Sequence, residues 1–280
     1  MDQNRKASAG QLKIRRLTLN DLKFAQTVRE LAGWNQTDAD WRRFLGHEPD
    51  GCFLAECDGV PAGTVTTTAY GRDLAWIGMM LVHPDYRRRG ISTALMKQSV
   101  AYLQDRGVRC IKLDATPAGE PVYQRLGFRA EWKLRRWEAI LPEPVRQVGR
   151  AADVMAAAGL DREVFGADRS TWLQRLAADS RVVSLGRDGY GMTRQGMRAN
   201  YVGPIVAADP ETGGRLARAL AGAVGGRTFW DIPDGNEAAV EVAQDLGFKP
   251  VRDLLRMWLG EQNLAGDPRR QFAIGDPATG

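Results

Sequence analysis

The sequence of 280 residues predicts a mixed α/β protein built as two lobes in tandem. Three observations predict it. Apolar runs of strand length alternate with segments of helical period along nearly the whole chain. A stiff, extended step, Pro142-Glu143-Pro144, interrupts this alternation near the middle. Short landmarks of the first half then return in the same order in the second. Gln124 followed by Leu126-Gly127-Phe128 returns as Gln244 followed by Leu246-Gly247-Phe248. Leu113-Asp114-Ala115-Thr116-Pro117 has a counterpart in Trp230-Asp231-Ile232-Pro233, and Ala75-Trp76-Ile77-Gly78 in Asn200-Tyr201-Val202-Gly203.

The first lobe begins, after a polar and flexible segment 1–10, with a strand over 12–17. A helix follows from Asn20, a side chain suited to capping free N–H groups, to about residue 32, and a second helix covers 38–45. Strands over 51–57 and 61–69 are joined by the tight turn Asp58-Gly59. A strand over 75–82 leads into a helix over 90–105, then a strand over 110–115, a short helix over 120–126 and strands within 128–140. With 142–147 as linker, the lobe spans 11–141. The second lobe, 148–260, opens on a helix-rich block over 148–178. Strands over 181–185 and 190–207 come next, then a helix over 212–223, a strand over 228–232, a helix over 236–246 and a strand region over 251–259. Residues 261–280 lack clear periodicity and read as a partly ordered tail.

Composition narrows the function classes. A hydrophobic fraction of 44% and a charged fraction of 26% are those of a soluble globular protein. No apolar run is long enough to span a bilayer, and the N-terminus has no signal-peptide core, so a cytoplasmic protein without membrane association is expected. Three cysteines without C-x-x-C spacing and two distant histidines give little material for a metal site, and none is expected. The net charge of +5 is spread along the chain. Its densest cluster, Arg87-Arg88-Arg89, has a use on a polyphosphate ligand, so nucleic acid is disfavoured as a partner.

That cluster lies in the most informative stretch, Val82-His83-Pro84-Asp85-Tyr86-Arg87-Arg88-Arg89-Gly90-Ile91-Ser92-Thr93. A strand end, a proline turn, three arginines and a glycine precede a helix start. Backbone N–H groups at a helix N-terminus have no intrahelical partner, and the helix dipole favours an anion there. Gly90 removes the Cβ that would hold an anion away from the backbone. The order of residues fits neither a Walker loop nor a Rossmann fingerprint. It resembles motif A of the GNAT superfamily of acetyl-CoA-dependent N-acetyltransferases, with Ser92 standing where Gly or Ala is usual.

The resemblance implies a twisted mixed sheet flanked by helices, in which the motif A strand and the next parallel strand part to admit the pantetheine arm. Leu81 and Val82 would then meet pantetheine through their backbone, and Arg87, Arg88, Arg89, Gly90, Ile91, Ser92 and Thr93 would wrap the pyrophosphate. A backbone N–H near Met80 or Leu81 would polarise the acetyl carbonyl. Tyr123, in Tyr-x-x-x-Gly-Phe, stands where the family's general-acid tyrosine stands. The position of the family's glutamate base holds Trp76, and Asp114 is a weak substitute, so the base is left unassigned. Trp34 and Trp41 either line the acceptor site or pack in the core.

The second lobe resembles the degenerate GNAT lobe of tandem acetyltransferases related to the YitH and HolE proteins, carried by Gly203-Pro204-Ile205-Val206-Ala207, Asp231-Ile232-Pro233 and Arg256-Met257. Asp209-Pro210-Glu211 replaces the arginines and Ala243 replaces the tyrosine. The expected activity is acetyl transfer to a primary amine, small molecule or peptide, in the first lobe. A non-catalytic CoA sensor is the alternative, and homodimerisation through the second lobe is open.

Overall fold

The computed structural model describes residues 11–144, 153–262 and 266–280. The first half runs β1 (Leu12–Arg16), α1 (Leu22–Leu31), α2 (Asp38–His47), β2 (Phe53–Cys57), β3 (Val60–Tyr70), β4 (Leu74–Val82), α3 (Ile91–Asp105), β5 (Cys110–Ala115), α4 (Glu120–Arg125) and β6 (Arg129–Leu141). The second runs α5 (Ala158–Phe165), α6 (Ser170–Ala177), β7 (Arg181–Ser184), β8 (Gly189–Arg194), β9 (Asn200–Ala207), α7 (Pro210–Ala221), β10 (Gly226–Pro233), α8 (Glu237–Asp245), β11 (Lys249–Gly260) and β12 (Gln271–Ala273).

Local chemistry accounts for most of these boundaries. Thr37 caps α2 through a reciprocal box with Asp40, whose Oδ2 accepts from the Thr37 N–H at 2.7 Å. The expected start of α1 at Asn20 is displaced. Thr18 and Asp21 form the box there, Asp21 Oδ2 accepting from Thr18 N at 2.8 Å, and residues 19–21 make a short 3₁₀ turn. Arg15 grips Asp21 from β1 through both guanidinium nitrogens, and this tertiary contact favours Asp21 over Asn20. The single strand expected over 190–207 is two, β8 and β9, interrupted at 195–199.

One mixed sheet of 12 strands runs through the whole molecule in the order β1-β2-β3-β4-β5-β11-β6-β10-β9-β8-β7, with β12 added on β9. The halves exchange the equivalent strands β6 and β11. β11, from the second half, pairs antiparallel with β5, and β6, from the first half, pairs antiparallel with β10. β6 and β11 pair with each other in the middle. The two halves are therefore joined by a continuous hydrogen-bonded ladder.

Helices cover both faces. α3 lays Ile91, Leu95, Ser99 and Leu103, spaced at one and two turns, against the β3–β4 surface around Ala62, Val65 and Ile77. Leu95 and Leu103 are wholly buried, each contributing about 1.5–3 kcal/mol of burial. α1 and α2 cover the opposite face, where Trp41, Phe44, Leu74 and Trp76 are enclosed. α7 and α8 pack in the same way on the second half, around Leu216, Leu220 and Trp230.

Residues 266–280 are packed between the halves, unlike the tail expected from their aperiodic sequence. Phe272, Ala273 and Ile274 are buried. Trp230 Nε1 donates to the Phe272 carbonyl at 2.7 Å, and the Tyr70 hydroxyl donates to the Thr279 carbonyl at 2.7 Å. These bonds explain the missing period: the segment is held by its main chain, which side-chain patterning does not reveal. No helix among the described residues is long and apolar enough to cross a membrane.

Candidate active site

Strands β4 and β5 are parallel neighbours only at Leu74–Cys110, Ala75–Ile111 and Trp76–Lys112. Beyond Trp76 they part, leaving that edge of β4 from Ile77 to Val82 without a strand beside it among the described residues. On its other edge β4 stays paired with β3, but the register slips between Thr66–Gly78 and Thr64–Leu81. The slip is a bulge at Met79 and Met80. Met79 takes φ +48°, a conformation unusual for an L residue, and the buried Thr64 hydroxyl pins it by donating to the Met79 carbonyl at 2.9 Å.

The motif turn lies at the open end of this gap. Gly90 caps α3 with φ +76°, and Arg88 takes φ +64°. A Cβ added at Gly90 would meet nothing within 4 Å. The glycine therefore serves its backbone conformation, and no protein atom crowds the outer side. The first intrahelical bond to the cap runs from Ala94 N to Gly90 O at 3.0 Å. The N–H groups from Arg88 to Thr93 have no acceptor among the described residues. Arg87 and Arg89 brace the turn through Val82 and Asp85 carbonyls, Arg89 lying over the Tyr86 ring at 5.2 Å. All three arginines are exposed. The surface is positive and lined by backbone N–H groups, an arrangement that suits an anion.

Tyr123 stands on α4, half-buried, on the wall of a cavity that enters the gap. Burial pushes its phenol up to about 12, so it is neutral and able to donate a proton at any physiological pH. The cavity holds about 50 Å³ of space and opens to solvent. It runs between the β4 bulge, Tyr123, the α1–α2 connection at Trp34 and Gln36, and Pro277-Ala278 of the C-terminal segment. Of the two tryptophans considered for this wall, Trp34 lines it. Trp41 does not: it is fully buried, edge-on to Phe44.

Asp114 also reaches the cavity, but as half of an ion pair. Arg256 of β11 binds it with Nε and Nη2 at 2.8 and 2.9 Å. Both carboxylate oxygens are engaged, so Asp114 is unsuited to take a proton. Trp76 is explained by the same arginine, whose guanidinium is sandwiched 4.4 Å from the Trp76 ring and 4.0 Å from Trp132. Sequence reasoning missed Arg256 as part of this site, along with Arg136, Arg252, Gln36 and Pro277-Ala278. The available signal was the repeat: Arg136 and Arg256 stand equally far beyond Gly127-Phe128 and Gly247-Phe248.

The model of the GNAT acetyltransferase family matches residues 18–128, and that of an acetyltransferase (GNAT) domain matches residues 157–273. The chain belongs to the GNAT acetyltransferases, with two such domains in tandem. Among curated proteins, the uncharacterized N-acetyltransferase YitH of Bacillus subtilis is 25% identical over 219 residues, 74% of each chain. A Pyrococcus horikoshii protein of solved structure superposes with TM-score 0.81 over 96% of both chains at 24% identity. A tandem GNAT protein from the clavulanic acid biosynthesis pathway gives 0.64 at 15% identity, over 91% of this chain and 99% of that one. These likenesses in structure concern the fold.

In this tandem GNAT acetyltransferase the second domain repeats the parting of strands. β9 and β10 pair at Asn200–Thr228, Tyr201–Phe229 and Val202–Trp230 and then separate. There β12 lies along β9, opposite Ile205 and Val206, and Ile274 N donates to the Asp231 carbonyl. The equivalent helix start, on α7, is capped by Asp209, whose Oδ1 accepts from Thr212 N at 2.8 Å. The Phe272 ring covers Gly213 on its first turn so closely that a Cβ there would come within 2.2 Å of it.

Proposed function

We propose that the first domain transfers an acetyl group from acetyl-CoA to a primary amine by direct attack on the thioester. The observation that carries this reading is the parting of β4 and β5 after Trp76–Lys112, between an anion cradle at one end and a neutral tyrosine at the other. The residues present fit the cosubstrate. Arg87 to Thr93 would hold the pyrophosphate on free N–H groups and positive charge, and the unpaired edge at Leu81 and Val82 would bond pantetheine amides as a strand does. Bound acetyl-CoA supplies an activated acyl group with a thiolate leaving group.

The chain's own groups then have distinct tasks. The N–H groups of the bulge at Met79-Met80, or that of Leu81, stabilise charge on the acetyl oxygen. The amine lone pair forms the new C–N bond, the C–S bond breaks, and the Tyr123 hydroxyl delivers a proton to the departing sulfur. Solvent reprotonates Tyr123 and accepts the proton lost by the nitrogen. No carboxylate free of an arginine lines the cavity among the described residues, which favours an amine that arrives neutral or loses its proton through water.

The second domain is read as non-catalytic. Its gap holds β12, its helix start is capped by Asp209, and Ala243 stands in place of the tyrosine. The experiment is acetyl-CoA titration and thiol release across amine classes, with wild type and Tyr123→Phe. Retained binding with lost turnover in the variant supports transfer. Acetyl-CoA binding without turnover of any amine by wild type would replace it with a CoA sensor.

A further inference from the structure

The acceptor end of the cavity is basic, and one of its two arginines lacks an acidic partner. Arg252 and Arg136 lie directly opposite each other on β11 and β6. Like charges facing each other across a strand pair are destabilising. Only one of the two is neutralised: Arg136 binds Asp231 with Nε at 2.9 Å and Nη2 at 2.6 Å. Arg252, half-buried, has no carboxylate among the described residues. Both arginines line the active-site cavity and also a second depression that continues outward past Arg198, Arg227 and Phe229. Arg227 is neutralised by a bidentate bond to Glu138. The exposed Arg198 guanidinium donates only to the Gly33 carbonyl, at 3.3 Å. Where the two hollows meet, Arg252 is therefore uncompensated, and Arg198 is so farther out. Burial and the neighbouring arginine charges both hold the Arg252 guanidinium down from its ordinary value, a sign of unrelieved positive potential.

A second observation lies on the inner side of the same cavity. Gln36 is buried, and its Nε2 donates to both oxygens of Asp276 at 3.0 and 3.1 Å. A carboxylate partner requires the amide nitrogen on that side. Gln36 Oε1 is left buried without a hydrogen-bond partner, an acceptor suited to an N–H donor. An unused acceptor inside and an unneutralised guanidinium at the mouth match a ligand that carries an amine at one end and an anion at the other.

We infer that the acceptor is an amine bearing a carboxylate, of the amino-acid class, with its carboxylate taken by Arg252 and, farther out, Arg198. Polyamines and aminoglycosides, which are cationic throughout, are disfavoured by the same charges. The inference rests on the acetyl-transfer reading and names the substrate class of that site. Arg252 is a specificity residue; the bond-making step is left to the groups described above.

The test compares free amino acids with their carboxamides, which lack the anion, as acceptors in the thiol-release assay, with each rate referred to the concentration of neutral amine. The expected result is a kcat/KM at least tenfold higher for the acid, arising in KM. Arg252→Gln should bring acid and amide to within about twofold of each other, Arg252→Lys should restore part of the preference, and acetyl-CoA affinity should stay the same in both. Equal use of acid and amide by wild type, or an equal fall of both in Arg252→Gln, would overturn the inference while leaving acetyl transfer intact. If wild type turns over no amine, acetyl transfer itself fails. The anion site is then read by calorimetry with N-acetyl amino acids in the presence of CoA. Binding by wild type that weakens at least tenfold in Arg252→Gln supports it, and absence of binding by wild type refutes it.

Discussion

Arg256 and Asp114 stand 142 residues apart and form a bidentate ion pair whose two side chains are at most 2% exposed. Arg136 and Asp231 repeat the arrangement on the other side of the β6–β11 ladder, also buried. In each pair the arginine comes from the exchanged strand of one half, β11 or β6, and the aspartate from the strand facing the splayed edge in the other, β5 or β10. Each half thus fixes the strand that forms one wall of the other's gap.

Arg256→Met should destabilise the protein by about 3–5 kcal/mol, because it leaves the Asp114 carboxylate buried and unpaired. Asp114→Asn combined with Arg256→Met should recover much of this loss. In the single variant, burial would raise the folded-state pKa of Asp114 above its unfolded value. Stability retained at low pH is then lost as pH rises through that folded value. Urea titrations at several pH values check both points: a variant deficit larger at pH 8 than at pH 5 is expected, and one independent of pH would contradict it.

Tyr123→Phe should lower kcat by about 10²–10⁴-fold with acetyl-CoA affinity unchanged, the range for loss of a positioned proton donor. Because the phenol is pushed up to about 12 from an ordinary value near 10, wild-type kcat should show no alkaline fall from this group below about pH 11. The same shift makes the folded state hold its proton more tightly than the unfolded one. Tyr123 therefore contributes stability present below pH 10 and lost between about 10 and 12. Alkaline unfolding of the phenylalanine variant should be shallower in that window.

Gly90→Val should separate binding from folding. The substitution forces a β-branched residue to φ +76°, costing roughly 1–2 kcal/mol, but its Cβ would meet no protein atom within 4 Å. CoA affinity, measured by calorimetry, should fall at least tenfold while the melting temperature drops by only a few degrees. Wild-type affinity should also weaken with added salt, since Arg87 to Arg89 are exposed.

Much of this was legible in the sequence, for reasons that are local. The cradle needs a contiguous string from Val82 to Thr93, and Tyr123 is placed by Gly127-Phe128 a few residues on. Capping at Thr37, the Asp58-Gly59 turn and the apolar period of α3 follow from neighbours within a turn or two. What escaped is what depends on pairing between distant segments. The exchange of β6 and β11 leaves no local trace, since either strand would read the same beside its own half. Arg252 becomes an acceptor-site residue only through that exchange. The segment 266–280 is fastened largely by carbonyl groups, as in Trp76 Nε1 donating to the Pro277 carbonyl at 3.1 Å, and side-chain patterning is blind to these.

Phe272→Ala tests the reading that the second domain takes no cosubstrate. The ring is 1% exposed and lies against Gly213 at the start of α7, so its removal should cost about 3–5 kcal/mol. It would also clear space where, by the repeat, a cosubstrate would sit. Two further obstacles remain in the variant: β12 still lies along the β9 edge, and the Asp209 carboxylate still accepts from the Thr212 N–H and places a negative charge at the start of α7. An anion approaching there meets a carboxylate where the first domain presents arginines. Calorimetric titration with acetyl-CoA should accordingly give one site per chain in wild type and one in Phe272→Ala. A second site appearing in the variant would mean that the ring alone closes the gap, and that the aspartate cap is no barrier to phosphate.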